Sequence, residues 1–353
     1  MHQNLKHFIK LLVQSIVFWT LAMFCYAVFR YYGLDQEIAI ALKKGFDGND
    51  SVVELVVIFT SIGFGLGILY ALIDYLFEKY VPKKIPLGLN ILFKTGLYFM
   101  VTIFIISVVI SIASEILELG IKLYPGWWIN DKRFWNALFY MILASFVFSF
   151  IKMAIERFGK GVFLKMLIGT YKNPKEEERI FMFLDLKDST TIAEHLSHRK
   201  YSQFIQDCFL DLNEVVLKYE AEIYQYVGDE AVLSWAYKKG LQNNNCIGIF
   251  FAFEAQRQSR RTYYIQKYGV YPEFKAGLHG GTLMVAEVGF VKKELAYHGD
   301  VINTSARIQA ECNTHNVSLL LSEKLLKDLK IGAFMKSKSF GNVLLKGKQK
   351  DVK

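Results

Sequence analysis

One acidic residue lies near the end of an apolar run in the middle of the chain. Asp185 belongs to the segment 180–186, which is otherwise hydrophobic and has the pattern of a β-strand. A carboxylate in a water-excluding strand is costly unless a cation or a hydrogen-bond partner meets it. The polar turn that follows leads into a helical pattern, and backbone N–H groups that open a helix bind phosphate readily. The turn consists of Lys187, Asp188, Ser189 and Thr190.

A second acidic residue occupies a tight turn. The apolar segments 223–227 and 231–235 meet at Gly228 and Asp229, a spacing that predicts a β-hairpin. If this hairpin neighbours the strand of Asp185, both carboxylates lie at one end of the sheet. Two carboxylates facing a phosphate turn suit Mg²⁺ or Mn²⁺. Two such ions can activate an attacking oxygen and hold a leaving group, so the pattern predicts phosphoryl-transfer chemistry.

A third segment carries an amide and a guanidinium at helical spacing. Gly299 and Asp300 have the character of a turn and helix cap, and Asn303 and Arg307 are four residues apart on one helix face. These groups suit a ribose and a phosphate charge that grows in the transition state. A capped surface helix with a solvated arginine is the alternative for this segment read alone.

The elements that must position these residues follow an α/β pattern from residue 179 onward. The order β-α-β-β-α-β predicts an α+β ferredoxin-like sheet with helices on one face. Strands are predicted at 180–186, 221–227, 231–235, 273–279, 282–288, 317–321 and about 333–346. Helices are predicted at 189–196, 199–219, 241–267, 301–313 and 322–329.

Four apolar runs in the first 155 residues are long enough to cross a bilayer as helices. They cover about 8–29, 53–77, 91–114 and 134–155, and a spanning helix needs about 20 residues. Buried helices of a soluble protein are the alternative, but four such runs without amphipathic periodicity do not suit it. The sequence predicts an N-terminal four-helix transmembrane bundle.

The basic residues predict how the bundle is oriented. Lysines and arginines cluster before the first run, between the second and third, and after the fourth. Positive residues favour the cytoplasmic side, so both chain ends are predicted to be cytoplasmic in an inner cell membrane. The pair Trp127 and Trp128 then anchors the outer interface.

Three regions are predicted along the chain: a membrane domain at 1–155, a linker at 156–175, and a catalytic domain at 176–353. Apolar residues in 156–171 fall near helical spacing, and Asn173-Pro174 indicates a boundary. The linker is compatible with a signalling helix that pairs with a second copy, or with an amphipathic helix lying on the membrane.

Charge and cysteine content exclude some classes. The net charge is +9, but its basic residues concentrate beside the membrane runs and are not interleaved with aromatics on a strand. A bilayer surface explains them better than nucleic acid does, so no nucleic-acid partner is predicted. The four cysteines lack the spacing of a disulfide framework or a zinc site.

Four motifs together resemble the class III adenylate/guanylate cyclase catalytic domain. They are FLDLKDST, YVGDEAVLSW, FKAGLHGG and GDVINTSARIQ, in this order, and the resemblance extends over about 179–350. It implies a homodimer with active sites between two chains. Asp185, Asp229 and the backbone of Leu186 would bind two divalent cations, Mg²⁺ or Mn²⁺. The turn 187–190 would hold the triphosphate, and Gly228 would also lie at the substrate.

The resemblance also implies roles for residues of the partner chain and for the base. Asn303 and Arg307 would come from the second chain to orient the ribose and stabilise the transition state, and Lys346 would meet the terminal phosphates. At the positions that select the base, Gln225 and Ala296 replace the Lys and Asp common in adenine-selecting members, and the guanine-selecting Glu and Cys are absent. Gln225 can donate and accept, so ATP and GTP both stay open as substrates.

The function predicted from these residues is a membrane-bound cyclase that converts ATP into 3′,5′-cyclic AMP and pyrophosphate as a homodimer. Regulation through the membrane domain, by a small ligand or lipid, is part of this prediction. A guanylate or dual-specificity cyclase is the first alternative. A membrane transporter or receptor with a regulatory nucleotide-binding domain is the more distant one.

Overall fold

The computed structural model divides the chain into two compact units, Met1–Met153 and Ala154–Lys353. It describes residues 2–33, 50–80, 87–116, 126–130, 132–158, 165–166, 168–291, 293–330, 336–348 and 351–353.

The first unit consists of long apolar helices, which confirms the four predicted membrane-spanning candidates. Its helices are α1 (His2–Gly33), α2 (Asp50–Tyr80), α3 (Leu87–Ile116), the short α4 (Trp127–Asn130) and α5 (Lys132–Phe158). The segments apolar enough to cross a membrane are Leu11–Phe29, Val56–Phe77, Phe93–Ile112 and Phe134–Ile151. Each is close to the length that a bilayer core requires.

Small residues let α1 and α2 approach closely. A Cβ atom on Gly63 would lie 2.4 Å from the carbonyl oxygen of Trp19, and one on Gly67 would lie 2.6 Å from Cα of Ile16. Membrane helices commonly associate through such small residues one turn apart. α5 joins α1 through the Tyr140 hydroxyl, which donates to the carbonyl of Ala22 at 2.8 Å.

The one acidic side chain described inside these apolar segments is paired. Asp74 of α2 accepts from Lys94 Nζ of α3 at 2.8 Å and from the Tyr98 hydroxyl at 2.6 Å. A charged residue at membrane depth is costly unless a partner neutralises it. The ion pair therefore links α2 to α3.

The second unit is an α+β sheet with the predicted ferredoxin-like order at its centre. Its strands are β1 (Lys175–Leu186), β2 (Glu222–Val227), β3 (Glu230–Ala236), β4 (Phe274–Val288), β5 (Glu294–His298) and β6 (Leu319–Leu321). Its helices are α6 (Ser189–His195), α7 (His198–Val216), α8 (Tyr237–Leu241), α9 (Asn245–Ser259), α10 (Arg261–Tyr268), α11 (Asp300–Thr314) and α12 (Glu323–Asp328). The strands lie in the order β2-β3-β1-β4-β5, with β6 parallel to β4.

The two faces of this sheet are covered differently. Met182 and Leu184 of β1 share the larger core with Phe204 and Leu212 of α7, as the apolar pattern predicts. Phe181 alternates to the other face and packs with Val301 of α11. The expectation that all helices cover one face is therefore wrong for α11.

Three details of the predicted strands differ from the structure. The segments 273–279 and 282–288 form one continuous strand, β4, because Gly280 and Gly281 stay in register with Ile180 and Arg179. Strand β5 has no counterpart among the predicted strands. The predicted strand at 333–346 is wrong where the structure describes it, since 336–346 contains only an isolated bridge from Val343 to Val352. Residues 331–335 lie outside the described residues.

Much of the predicted linker at 156–175 falls outside the described residues. Helix α5 is described as far as Phe158, and residues 159–164 and 167 lie outside the described part. Lys165 and Met166 are helical, and 168–171 form a turn. Gly169 has a left-handed φ of 72°, and the Thr170 amide donates to the carbonyl of Lys165 at 2.8 Å. A glycine in this conformation commonly ends a helix.

A buried arginine fixes the start of β1. Arg179 is 4% exposed, donates to Glu222 and to Ser234 Oγ, and forms an ion pair with Glu177 at 3.2 Å. Glu177 also accepts from the Tyr171 hydroxyl at 2.8 Å. A buried charge must be paired in this way, so the network ties the turn before β1 to the sheet.

The Gly277→Ala substitution tests how closely α11 packs on β4. A Cβ atom at Gly277 would lie 2.1 Å from the Gln309 amide nitrogen, so the helix must move away. We expect a loss of about 1–3 kcal/mol in the free energy of unfolding, measured by thermal or denaturant unfolding of the second unit within the full chain. Gly281→Ala is the matched control, because its Cβ would meet only the ends of the Val301 and Lys324 side chains. Equal losses for both variants would contradict the close packing.

Candidate active site

Asp185 is the centre of a row of charged side chains across the end of the sheet. In the strand register Asp185 pairs with Glu230 of β3 on one side and with Lys275 of β4 on the other. Directly opposed residues of antiparallel strands lie on the same face. The three side chains are therefore neighbours on the face that α11 partly covers.

Two donors hold the Asp185 carboxylate. Lys275 Nζ lies 3.2 Å from Asp185 Oδ2, and Gln309 Nε2 of α11 donates to the same oxygen at 3.0 Å. Lys275, 9% exposed, also donates to Asn313 Oδ1 at 3.1 Å. Because Gln309 and Asn313 are four residues apart on α11, one helix face positions both charges.

Sequence reasoning did not assign Lys275, Gln309 or Asn313 to the site. Lys275 lies within the motif FKAGLHGG. Gln309 and Asn313 lie on the same helix as Arg307, and they are four residues apart from each other. Which residue of β4 lies opposite Asp185 depends on the strand register, and which face of α11 reaches Asp185 depends on how the helix packs on the sheet. For Gln309 and Asn313, the signal that the sequence offers is their spacing of four residues on one helix.

The acidic residues at this end perturb one another. Burial raises the pKa of Asp185, and the nearby Asp229 raises it further, while Lys275 and Gln309 lower it. Burial, with Asp185 and Asp229, raises the pKa of Glu230 to about 7. The three carboxylates of Asp185, Asp229 and Glu230 are thus neighbours of one ammonium group, that of Lys275. Such an excess of negative oxygen ligands in a half-buried site suits a divalent cation.

The carboxylates do not by themselves enclose an ion. Among the described residues, no group of three or more His, Cys, Asp or Glu side chains is arranged to hold a metal. Asp185 and Asp229 therefore fit as a partial set of ligands, completed by backbone carbonyls, water or substrate phosphates. This is the usual manner in which Mg²⁺ is bound.

The hairpin turn between β2 and β3 places Asp229 beside Asp185. Gly228, the first residue of the two-residue turn, has φ of 62°, and no heavy atom lies within 4 Å of a Cβ built on it. Short hairpin turns need this left-handed conformation, which glycine adopts without strain. The predicted hairpin is confirmed, and it leaves open space at the tip.

The predicted phosphate turn follows β1 directly. The buried Leu186 ends the strand, Asp188 takes a left-handed φ of 53°, and α6 begins at Ser189. The Lys187 amide is already used, since it donates to the carbonyl of Glu273 at 2.8 Å. The amides of the first turn of α6, including Ser189 and Thr190, have no acceptor within the helix.

The predicted pair on α11 lies on a different side of the helix from Gln309. Asn303 is exposed and Arg307 is half-buried. Arg307 and Gln309 are two residues apart, which places them about 200° apart around the helix axis. One face of α11 thus contacts Asp185 of its own chain through Gln309. Asn303 and Arg307 lie on another face, which is turned away from that Asp185.

The C-terminal segment brings Lys346 to the Arg307 side of α11. Lys346 and Gly347 form a turn, and an Arg307 guanidinium nitrogen lies 3.3 Å from a Cβ built on Gly347. Lys348 Nζ anchors this turn by pairing with Asp300 Oδ2 at 2.6 Å. The structure therefore groups the predicted Lys346 with Arg307.

The two predicted base-recognition positions lie on strands at opposite ends of the strand order. Gln225 is exposed on β2, whereas Ala296 lies on β5 and pairs with Ala286 of β4. Their neighbours Tyr224 and Tyr297 nevertheless stack edge-on, with ring centroids 4.9 Å apart. The sheet therefore curls so that its edge strands approach each other.

Comparison with known proteins identifies relatives of the second unit. The family model of the adenylate and guanylate cyclase catalytic domain matches residues 171–353. Adenylate cyclase 2 of Rhizobium meliloti (strain 1021) is 35% identical over 213 residues, which are 60% of this chain and 59% of that protein. Adenylate cyclase 1 of the same organism is 26% identical over 176 residues, 49% of this chain and 26% of that protein. The chain thus spans only part of the length of these relatives.

Among solved structures, the adenylyl cyclase CyaB from P. aeruginosa is similar to this chain. The two are 18% identical, with a TM-score of 0.42, and the match covers 51% of this chain and 93% of that one.

The Glu230→Gln substitution tests the charge crowding at this site in metal-free protein. The pKa of Glu230 is raised to about 7 from 4.5, so its ionised form is disfavoured in the fold. The cost appears as the pH rises from about 4.5 and is complete above about 7. In a chelator at pH 8 the variant should unfold at a higher temperature than the wild type, and at pH 5 the difference should shrink. A difference that is independent of pH would contradict the crowding.

Proposed function

This chain belongs to the adenylate and guanylate cyclase catalytic domain family, and on that basis we propose that it is a membrane-bound adenylate cyclase. It converts ATP into 3′,5′-cyclic AMP and pyrophosphate. The observation that carries the proposal is the row Glu230, Asp185 and Lys275, set between the Asp229 turn and the start of α6. A water-accessible cluster of acids beside a buried lysine suits a metal-bound triphosphate.

Asp185, Asp229 and the backbone carbonyl of Leu186 are the proposed ligands of two divalent cations. When bound, Mg²⁺ or Mn²⁺ lowers the pKa of the ribose 3′-hydroxyl and offsets the charge of the triphosphate. Gln309 and Lys275 keep the Asp185 carboxylate in a fixed orientation. A ligand held in advance loses less entropy when the ion arrives.

Basic groups and amides of this chain hold the phosphates. The turn 187–190 offers the free amides of Ser189 and Thr190, which suit a phosphate oxygen. The Lys275 ammonium lies beside Asp185 and is available to a phosphate when a cation takes over its charge pairing. Lys346, grouped with Arg307, would meet the terminal phosphates, and Gly228 leaves room for the nucleotide beside Asp229.

The reaction is an in-line displacement at the α-phosphorus. The 3′-oxygen forms a bond to phosphorus, the bond from phosphorus to the β-phosphate oxygen breaks, and pyrophosphate leaves with that electron pair. The 3′-hydroxyl proton passes to water or to a substrate phosphate. Arg307 and Asn303 offset the charge that develops on the phosphate, an effect worth about 10²–10³ in rate for a well-placed donor.

The active enzyme is proposed to be a homodimer. Gln309 directs one face of α11 to its own Asp185, while Asn303 and Arg307 lie on another side of the helix. A second copy related by a two-fold axis would bring its Asn303 and Arg307 to this site and receive the same groups in return.

Base choice rests on Gln225 and Ala296. The Gln225 amide can donate and accept, so it suits either purine edge. We propose ATP as the preferred substrate and keep a guanylate or dual-specificity cyclase as the second candidate. Purified protein in Mn²⁺ or Mg²⁺ should form cyclic AMP from ATP with a higher kcat/KM than cyclic GMP from GTP, with products identified by mass spectrometry. Hydrolysis of either nucleotide to free phosphate without a cyclic product would contradict cyclase activity.

The four apolar helices support attachment to a membrane. We propose the inner cell membrane with both chain ends cytoplasmic. Lysines and arginines cluster before the first run, between the second and third, and after the fourth, and such residues favour the cytoplasmic side. We also propose that the membrane domain regulates the cyclase, with a small ligand or lipid as its signal. A transporter fits less well, since Asp74, the acid described within the spans, is paired with Lys94.

Coexpression of Asp229→Ala with Arg307→Ala chains tests the shared site. Each variant alone should be inactive. In a mixed dimer both defects fall in one site and the other site is whole, so an equal mixture should recover about a quarter of the wild-type activity, given random pairing of a two-fold dimer.

The matched control coexpresses Asp185→Ala with Asp229→Ala. Here every mixed dimer has one defect in each site, so no activity should return. Equal activity in the two mixtures, or none in either, would contradict a site built from two chains.

A further inference from the structure

One buried cation of the second unit takes no part in the proposed chemistry. Arg179 is 4% exposed and precedes Asp185 by six residues on β1, which is about 20 Å of strand. Its Nε is buried and has no hydrogen-bond partner among the described residues, which costs stability. Replacing a buried ion pair by apolar side chains is often neutral or stabilising, so folding alone does not call for an arginine here.

Arg179 joins the two edge strands of the sheet. On one side, its guanidinium donates to Glu222 of β2 and to Ser234 Oγ of β3, the latter at 2.9 Å. On the other side, its Cζ atom lies 5.1 Å from the centre of the Tyr297 ring of β5. β2 and β5 lie at opposite ends of the strand order β2-β3-β1-β4-β5. The guanidinium therefore bridges strands that are not neighbours in the sheet.

Three aromatic rings fill the space beside this guanidinium. Phe181, two residues after Arg179 and on the same face of β1, packs edge-on against Tyr297 with ring centroids 5.2 Å apart. Phe181 also meets Tyr224 of β2 at 6.2 Å, and the two tyrosines meet each other at 4.9 Å. Edge-on pairs prefer separations in this range. The curl that brings β2 towards β5 therefore depends on one guanidinium and three rings.

The partners of Arg179 lie next to the two proposed base-recognition positions. Glu222 precedes Gln225 by three residues on β2, and Tyr297 directly follows Ala296 on β5. A site that hydrogen-bonds one base discriminates against another only when its donors and acceptors are held in place. The separation between Gln225 and Ala296 follows from how closely β2 and β5 approach, and Arg179 contacts both strands.

We propose that Arg179 is a positioning residue for base selection, which holds β2 and β5 at the separation that lets the site prefer ATP over GTP. This inference rests on the proposed cyclase activity and adds the residue that sets its specificity. Arg179 acts through Glu222 and Tyr297 and does not touch the nucleotide. Its loss should therefore change nucleotide binding and selectivity more than the rate of the chemical step.

Two variants test the proposal in the full chain. Arg179→Lys keeps a positive charge, but an ammonium group cannot bind several acceptors in one plane and stack on a ring, as a guanidinium does. Glu222→Ala removes the contact to β2 from a side chain that is 34% exposed, and it leaves Arg179 paired with Glu177 at 3.2 Å. This second variant disturbs the buried part of the network less.

We expect both variants to lose selectivity through KM. The ratio of kcat/KM for ATP to that for GTP should fall by at least about fivefold, the effect of one misplaced hydrogen bond to the base. The kcat for ATP should change by less than about twofold, because the metal ligands and transition-state donors stay in place. Affinities for 3′-deoxy-ATP and 3′-deoxy-GTP in Mn²⁺, measured by isothermal titration calorimetry, should show the same loss without turnover.

Two matched controls accompany these variants. Glu222→Gln keeps a side-chain oxygen that accepts from Arg179, so its selectivity should stay within about twofold of the wild type. Arg257→Lys changes an equally buried arginine, 2% exposed, on the opposite face of the sheet. The Arg257 guanidinium donates to the carbonyl of Pro272 and lies over the Phe274 ring at 5.1 Å. This control should lower the unfolding temperature without changing selectivity.

Two results would overturn the proposal. Unchanged selectivity in Arg179→Lys and Glu222→Ala, with a lower unfolding temperature, would show that the network only stabilises the fold. An equal change of selectivity in Arg257→Lys would show that the loss of any buried arginine has the same effect. If the wild type forms no cyclic product, the proposed function fails, and the ratio of the two analogue affinities still decides the role of Arg179.

Discussion

The site depends on holding the Asp185 carboxylate at the end of a strand between a like charge and an opposite one. Glu230 opposes it on one side and Lys275 on the other. Burial makes the ionised acids costly, and a single lysine does not balance three carboxylates. The fold therefore keeps a local excess of negative charge. A divalent cation is suited to neutralise it, and a triphosphate can bind through that cation.

α11 connects this charge cluster to the rest of the proposed catalytic machinery. Gly277 lets the helix approach β4 so closely that Gln309 reaches Asp185 and Asn313 reaches Lys275. The side of the helix that carries Asn303 and Arg307 then faces away from the Asp185 of its own chain. In the proposed dimer, one helix positions the metal ligand of one site and the transition-state donors of the other, so a shift of α11 would affect both.

Much of this arrangement could be predicted from the sequence, because its signals are local. Asp185 interrupts an apolar strand, Gly228 and Asp229 form a recognisable hairpin turn, and Asn303 and Arg307 share a helical spacing. Lys275 and Gln309 could not be placed, since their roles depend on strand register and on the approach of a helix across the sheet. The Gly280-Gly281 pair suggested a break in β4, although paired neighbours on β1 keep the strand continuous.

The binding of Mn²⁺ by Asp185 and Asp229 is measured directly by electron paramagnetic resonance in the full chain. The titration is done with 3′-deoxy-ATP, which lacks the attacking hydroxyl. We expect two Mn²⁺ ions per active site, with affinity at least about tenfold weaker in Asp185→Asn and Asp229→Asn. Both ions should be retained in a control variant, Leu217→Ser, at an exposed position outside the proposed site. Wild-type Mn²⁺ affinity in Asp185→Asn would contradict the proposed metal site.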